Sequence, residues 1–273
     1  MRNIFILLSL LFNLTISAQL KFDYPIIDIE PVELIVNYSL QYQEDSLNPN
    51  FIKQEDMVLL LGNNMSKFLS KNLNRSDIIM AQITNMAQFQ EFVLDPNKPF
   101  PKIGYRIFKN YPKGKLTYIE NIPSSTFKYM EDLDIFNWQL TGDTATIKRY
   151  KVQKAITDFG GRSWVAWFSP EIPHNDGPYK FNGLPGLILN VHDTRNHFTF
   201  ELLSIEKPQN RMMIDIVDKD YVETTKSSFF QAEDAFRYNI VSIAKEAGLS
   251  SDEQQHVSRN MSERNNPIEL KRK

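Results

Sequence analysis

The residues most able to do chemistry crowd into one stretch, Gly160–Phe181, "GGRSWVAWFSPEIPHNDGPYKF". Arg162, Trp164, Trp167, His174, Tyr179 and Lys180 supply a guanidinium, two indoles, an imidazole, a phenol and an amine. An arginine beside tryptophans can stack on a ligand or bind it by cation–π attraction. These six residues are the candidate ligand or partner surface. The competing reading is a core strand, because Arg162, Trp164, Ala166 and Phe168 fall on one face at a period of two, and large aromatics usually supply buried area. Glu171, His174 and Asp176 carry metal-ligating atoms, but a turn of three such side chains needs ligands from elsewhere to make a site. His192 and His197 flank a hairpin loop, where cross-strand packing explains them as well as a ligand does. Glu131, Asp132 and Asp134 read as a polar turn without the enclosure that acid–base work requires. No residue is assigned as catalytic, cofactor-binding or metal-binding, and no cofactor is implied.

Gly177–Leu189, "GPYKFNGLPGLIL", holds three of the ten glycines. Gly183, Leu184, Pro185, Gly186, Leu187 and Ile188 form a structural motif. Leu184-Pro185-Gly186-Leu187 predicts a type II turn, with proline at the first central position and glycine at the second. A phosphate loop would need Lys-Ser or Lys-Thr after the last glycine, a dinucleotide loop would open a helix, and a nucleophile elbow would need a serine. None of these is present.

The hexapeptide Gly183–Ile188 resembles the hallmark of the GLPGLI family, also called the Porph_ging family, exported proteins of Gram-negative bacteria with no established activity. The resemblance extends through Tyr150–Ala155, Gly161-Arg162, Ala166–Phe168, Glu171–Pro173 and Gly177–Phe181, and resumes in Asn266–Leu270. Many members resemble "YxCQKA" where this chain has Val152, which removes a thiol-based role here. The family assigns no catalytic residues, so the resemblance implies none.

The elements that must position these residues are mostly strands. Glu33–Gln43 alternates as a half-buried strand; Met57–Gly62 reads as a buried one, with Met65–Ser70 its continuation or partner. Further strands are predicted at Lys102–Phe108, Lys115–Asn121, Thr126–Met130, Phe136–Thr141, Thr144–Thr157, Arg162–Phe168, Leu187–His192, His197–Ile205 and Met212–Val217, with a hairpin loop at Asp193–Asn196. One helix is predicted near 76–92. A second, amphipathic and C-terminal, is predicted over Ser228–Ala247 with a capping box from Ser228 to Gln231 and Gly248 at its exit. The tail from Ser250 reads as polar. The fold class is therefore mainly β, an antiparallel sheet or open barrel, with the Leu187–Asn190 strand central and the C-terminal helix covering the sheet.

Composition sets the remaining bounds. The chain has 273 residues and a formal net charge of −2, so no basic excess argues for nucleic acid. Residues 1–18 read as a secretory signal peptide cut after Ala18, the alternative being an uncleaved anchor; 19–273 reads as a single domain. With no cysteine, disulfides, thiol catalysis and lipidation at cysteine are excluded. The expectation is an exported protein, periplasmic by default, with the culture medium or cell surface as alternatives. It is expected to be a non-catalytic envelope protein binding a ligand or partner, the partner considered being an outer-membrane transporter or its cargo. The alternative is a hydrolase whose site is assembled from distant residues around Arg162–Phe181.

Overall fold

The computed structural model describes residues 25–123 and 125–271. The signal segment read at 1–18 lies outside them. Among the described residues, fourteen strands and four helices follow the chain: β1 (Ile26–Pro31), β2 (Leu34–Gln43), β3 (Ile52–Leu61), β4 (Ser66–Ser70), α1 (Lys71–Met80), α2 (Met86–Leu94), β5 (Arg106–Lys109), β6 (Lys115–Ile122), β7 (Ser125–Asp132), β8 (Gln139–Ile147), β9 (Tyr150–Phe159), β10 (Arg162–Ser169), β11 (Leu187–Asp193), β12 (Phe198–Glu206), β13 (Met213–Val217), β14 (Val222–Thr224), α3 (Lys226–Glu246) and α4 (Ser251–Ser262).

Twelve strands form one open sheet in the order β14-β7-β6-β5-β4-β3-β2-β12-β11-β10-β9-β8, while β1 and β13 make a separate pair. All pairs are antiparallel except β14 on β7. The strand from Leu187 lies inside this sheet, flanked by β10 and β12. Met65–Ser70 proves to be the partner of the preceding strand, Leu59 opposite Phe68.

Both faces of the sheet are covered in the β3–β5 region, which explains why "MVLLL" shows no alternation. Met57, Leu59 and Leu61 enter the larger core with Tyr38, Phe68, Phe181 and Phe200. Val58 and Leu60 enter a smaller one on the other face, with Leu69, Phe108, Ile119, Ile214 of β13 and Leu73 of α1. Ile35, out of phase with its strand, packs against that second core.

Four local expectations are corrected, the first being the single strand at Thr144–Thr157, which the structure turns at Lys148, φ 55°, into the hairpin of β8 and β9. The helix near 76–92 is two helices, because the chain breaks after Met80 and restarts with Asn85 as cap, its side chain accepting from the Gln88 amide at 3.0 Å. The C-terminal helix begins earlier than Ser228. Thr225 caps it, accepting from the Ser228 amide at 3.1 Å, so Ser228 is an amide donor inside the first turn and not the cap. The helix covers the sheet at its first turns: Phe229 meets Tyr118, Phe127 and Tyr129. The polar tail is a helix as well, α4, with no buried residue. Ser250 and Glu253 close a capping box at its start.

Candidate functional site

The candidate residues converge on a strap, the extended segment 266–271 that follows α4. Gly160 and Gly161 turn the β9–β10 hairpin with φ of 60° and 81°, a pair of positive values suited to glycine. The bared Gly160 carbonyl accepts from the amides of Leu270 at 2.6 Å and Lys271 at 2.9 Å. A Cβ on Gly160 would lie 3.1 Å from the Glu269 Cα. The hairpin thus needs glycine both for its turn and for the close approach of the strap.

Arg162, next along β10, grips the strap from below. Its Nε donates to the Ile268 carbonyl at 3.0 Å, and Nη2 donates to Asn266 Oδ1 at 2.6 Å and the Pro267 carbonyl at 2.7 Å. Nη1 meets Asp193 Oδ2 at 3.1 Å and His197 Nδ1 at 3.2 Å, while the guanidinium lies over the Phe198 ring. A guanidinium has five N–H donors, and these contacts occupy all of them. Asn266 completes the grip by donating to the Gln43 carbonyl at 2.7 Å.

Lys180 anchors the other end. Its Nζ is fully buried and pairs with Glu131 Oε2 at 2.5 Å and Glu269 Oε1 at 2.7 Å. The rings of Tyr118, Tyr129, Tyr179 and Phe159 surround it at 5.2 to 5.9 Å. Lys226, at the start of α3, pairs with the same two acids at 2.7 and 2.6 Å. Tyr179, at φ 53°, donates its hydroxyl to Glu269 Oε1 at 2.7 Å. Burial alone would raise the Glu269 pKa, but Lys180 and Lys226 outweigh it and hold the carboxyl below its usual value. Burial likewise disfavours the Lys226 charge, and Glu269 and Glu131 reverse that to raise its pKa.

The six residues proposed as a surface are therefore placed differently. Arg162, Trp164, Tyr179 and Lys180 are buried. Trp167 is half-buried against the core and His174 is half-buried in the loop after β10. The period-two reading of β10 accounts for this, since its inward face carries Arg162, Trp164, Ala166 and Phe168. Trp164 donates its indole N–H to the Phe159 carbonyl at 3.0 Å. Asp176 is not joined to Glu171 and His174 but bonds Lys109 of β5, which also donates to the carbonyls of Gly177 at 2.5 Å and Phe181 at 3.2 Å. Among the described residues no three potential ligands come together around a metal position. His192 sits opposite Thr199 and bonds Asn190, whereas His197 bonds Arg162, so the two histidines do not face each other.

Gly183 and Gly186 shape the loop that delivers Leu187 to the sheet. The expected type II turn is not formed. The Gly186 amide donates to the Leu184 carbonyl at 2.8 Å, closing a three-residue turn, and the Leu187 amide donates to Ile172 at 3.0 Å. Gly186 has φ 145°, and a Cβ there would lie 2.2 Å from the Ser169 carbonyl oxygen. Contact with the end of β10 opens the turn and excludes a side chain. Leu184, Leu187 and Ile188 are then buried in the core.

Beside the strap is a cleft of about 190 Å³ that the sequence reading did not find. Asn266, Pro267 and Ile268 form one wall, Tyr42, Tyr105 and Phe198 another. Glu120 of β6 lies in it, accepting a hydrogen bond from Tyr118. Burial raises its pKa to about 7 against the Tyr118 bond, which lowers it; Glu233 adds to the rise and Arg106 and Arg237 oppose it. At the rim, Arg237 donates to Glu233 Oε1 at 2.8 Å and to the Arg264 carbonyl, while Arg264 lies 3.5 Å from Glu44. Such a site can exchange a proton near neutrality through Glu120 and can present apolar rings beneath a charged rim. Glu120 lies two residues from Tyr118 on an alternating strand, a pattern that carries no mark of a cleft until α3 and the strap close over it.

Residues 161–190 match the Porph_ging family, a protein of unknown function. The matched segment runs from Gly161 through the loop into β11 and includes Arg162, Lys180 and Gly186. No curated protein matches the chain. Among solved structures, PNGF-II in its P21 crystal form is similar, with 14% identity, a TM-score of 0.52, and coverage of 74% of this chain and 33% of that one. The C2 form has 14% identity, a TM-score of 0.49, and coverage of 73% and 32%. This chain spans about a third of the length of PNGF-II. The likeness concerns the fold.

Proposed function

We propose that this chain is an exported, non-catalytic envelope protein, acting as one domain over 19–273, that binds a ligand or protein partner in the cleft beside the strap. The observation that carries the reading is the division of labour around that cleft. The reactive residues of the matched segment are spent on internal contacts: Arg162 on the strap, Lys180 on Glu131 and Glu269. The cleft they help to build sets the rings of Tyr42, Tyr105 and Phe198 beside Glu120 and under a charged rim of Glu233, Arg237 and Arg264, an apolar body with polar groups that can orient a ligand. An outer-membrane transporter or its cargo is the partner to test first, and the periplasm is the location to test first, against the medium and the cell surface.

The hydrolase reading draws on one feature, the Glu120 carboxyl with its pKa near 7 in a cleft. The test separates the two. Gly104 lines the cleft, and a side chain there would project toward Glu120. Affinity capture from envelope extract, followed by mass spectrometry, should recover a specific ligand or partner with the parent and lose it with Gly104→Leu. No specific capture, or equal capture by the folded variant, overturns the binding reading. Turnover of an ester, peptide or glycoside substrate that Glu120→Gln abolishes would establish the hydrolase instead.

A further inference from the structure

A second cleft, of about 240 Å³, lies on the other face of the sheet, bounded by α1, by β5 and β6, and by the chain leaving β13. Met80, Phe108, Ile119 and Ile216 give it apolar walls. Its charged groups are unequally satisfied. Arg106 donates Nε to Asp77 Oδ2 at 2.6 Å and Nη2 to the same carboxylate. Lys67, buried, pairs with Asp215 at 2.6 Å. Tyr221 donates its hydroxyl to the Val217 carbonyl at 2.5 Å. Lys219 is half-buried, and among the described residues its Nζ has a ring for a neighbour, Tyr221 at 5.8 Å, and no carboxylate within ion-pair distance.

Three cations, Lys67, Arg106 and Lys219, therefore stand against two carboxylates, Asp77 and Asp215. Lys67 and Arg106 are paired with these two, and Lys219 is the cation of the cleft without a salt bridge. Burial, then the Arg106 charge, push the Lys219 pKa down, while Asp77 pulls it back. An incoming anion would relieve both the desolvation and the repulsion. Lys219 also lines a wider outer groove with Asp218 and Asp220. It stands where the cleft meets that groove, so a ligand can place its charge at Lys219 and its body against the apolar walls.

We infer that this cleft binds a small aliphatic monocarboxylate, with the carboxylate on Lys219 and the chain against Met80, Phe108 and Ile216. The class follows from the lining. One uncompensated cation matches one negative charge, and Asp218 and Asp220 outside disfavour a dianion such as phosphate. The apolar walls would be wasted on a bare ion. A cleft of about 240 Å³ admits a short aliphatic chain, and hexanoate is the probe of that class.

The experiment is calorimetric titration of the full chain with hexanoate, acetate and inorganic phosphate at neutral pH, on the parent, Lys219→Gln and Lys219→Arg, each checked for an unchanged melting temperature. Hexanoate should bind the parent, with Lys219→Gln weaker by about 10-fold or more, the loss of a charge-assisted bond, and Lys219→Arg close to the parent. Acetate and phosphate should bind much more weakly than hexanoate. No hexanoate binding by the parent, unchanged affinity in Lys219→Gln, or acetate or phosphate binding as tightly as hexanoate would each overturn the assignment.

Discussion

Replacing Lys180 with methionine removes a fully buried cation that neutralises two carboxylates, Glu131 and Glu269. The side chain keeps its length and apolar stem, so the change is chiefly one of charge. Breaking a buried ion pair by removing one partner costs about 3–5 kcal/mol, because the other charge is left behind. Here Lys226 still pairs with both acids at 2.7 and 2.6 Å, and Tyr179 still donates to Glu269. The lower end, about 3 kcal/mol, is therefore expected. For a chain of this size, each kcal/mol shifts the melting temperature by about 2–4 °C, giving a fall of about 6–12 °C. The pH dependence gives a second signature. Glu269 has its folded pKa depressed below the unfolded value of about 4.3. Its contribution is complete above that value and lost as pH falls through the folded pKa. The gap between parent and Lys180→Met should thus be widest near neutrality and narrow below about pH 4. Adding Glu269→Gln to the variant should recover part of the loss, since the stranded charge goes with it. Thermal melting by circular dichroism at several pH values is the assay. A cost under about 1 kcal/mol, or a gap independent of pH, would refute the buried-network reasoning.

Gly186→Val forces a side chain against the Ser169 carbonyl and a φ that suits glycine. Melting should show a loss of about 3 kcal/mol or more, with Pro185→Ala milder; a Gly186→Val protein as stable as the parent but deficient in binding would make the loop functional. Glu120 has its folded pKa raised to about 7, so its ionisation weakens the fold progressively as pH rises from about 4.3 through that value. Glu120→Gln should flatten this decline and exceed the parent at pH 8 by on the order of 2 kcal/mol, with little difference at pH 4, as read from paired melts.

Much of the sheet was legible because its signals are local. Alternation at Leu34–Tyr42 and on β10 places those residues on the faces the structure shows. The Leu187–Leu189 run marks an interior strand. Both end-helix errors have local causes too. Thr225 outcompetes Ser228 as cap, and α4 has no buried face for periodicity to reveal. The strap network was out of reach because its partners are remote: Arg162 and Asn266 are 104 positions apart, Tyr179 and Glu269 are 90. Glu131 read as part of a polar turn because nothing near it in sequence tells of Lys180 and Lys226. The same distance hid both clefts, whose charged residues come from four or more elements.

The Gly160–Arg162 hairpin end, with the segment matched to the family, clamps the strap at 266–271. Amide hydrogen exchange on the parent chain reads this clamp residue by residue. The Asn266, Leu270 and Lys271 amides donate to the carbonyls of Glu44, Gly160 and Gly160, so they should exchange slowly, on the time scale of the β10 amides. Arg162→Ala should speed them selectively. Exchange of these amides in the parent as fast as in an unfolded tail would contradict the clamp.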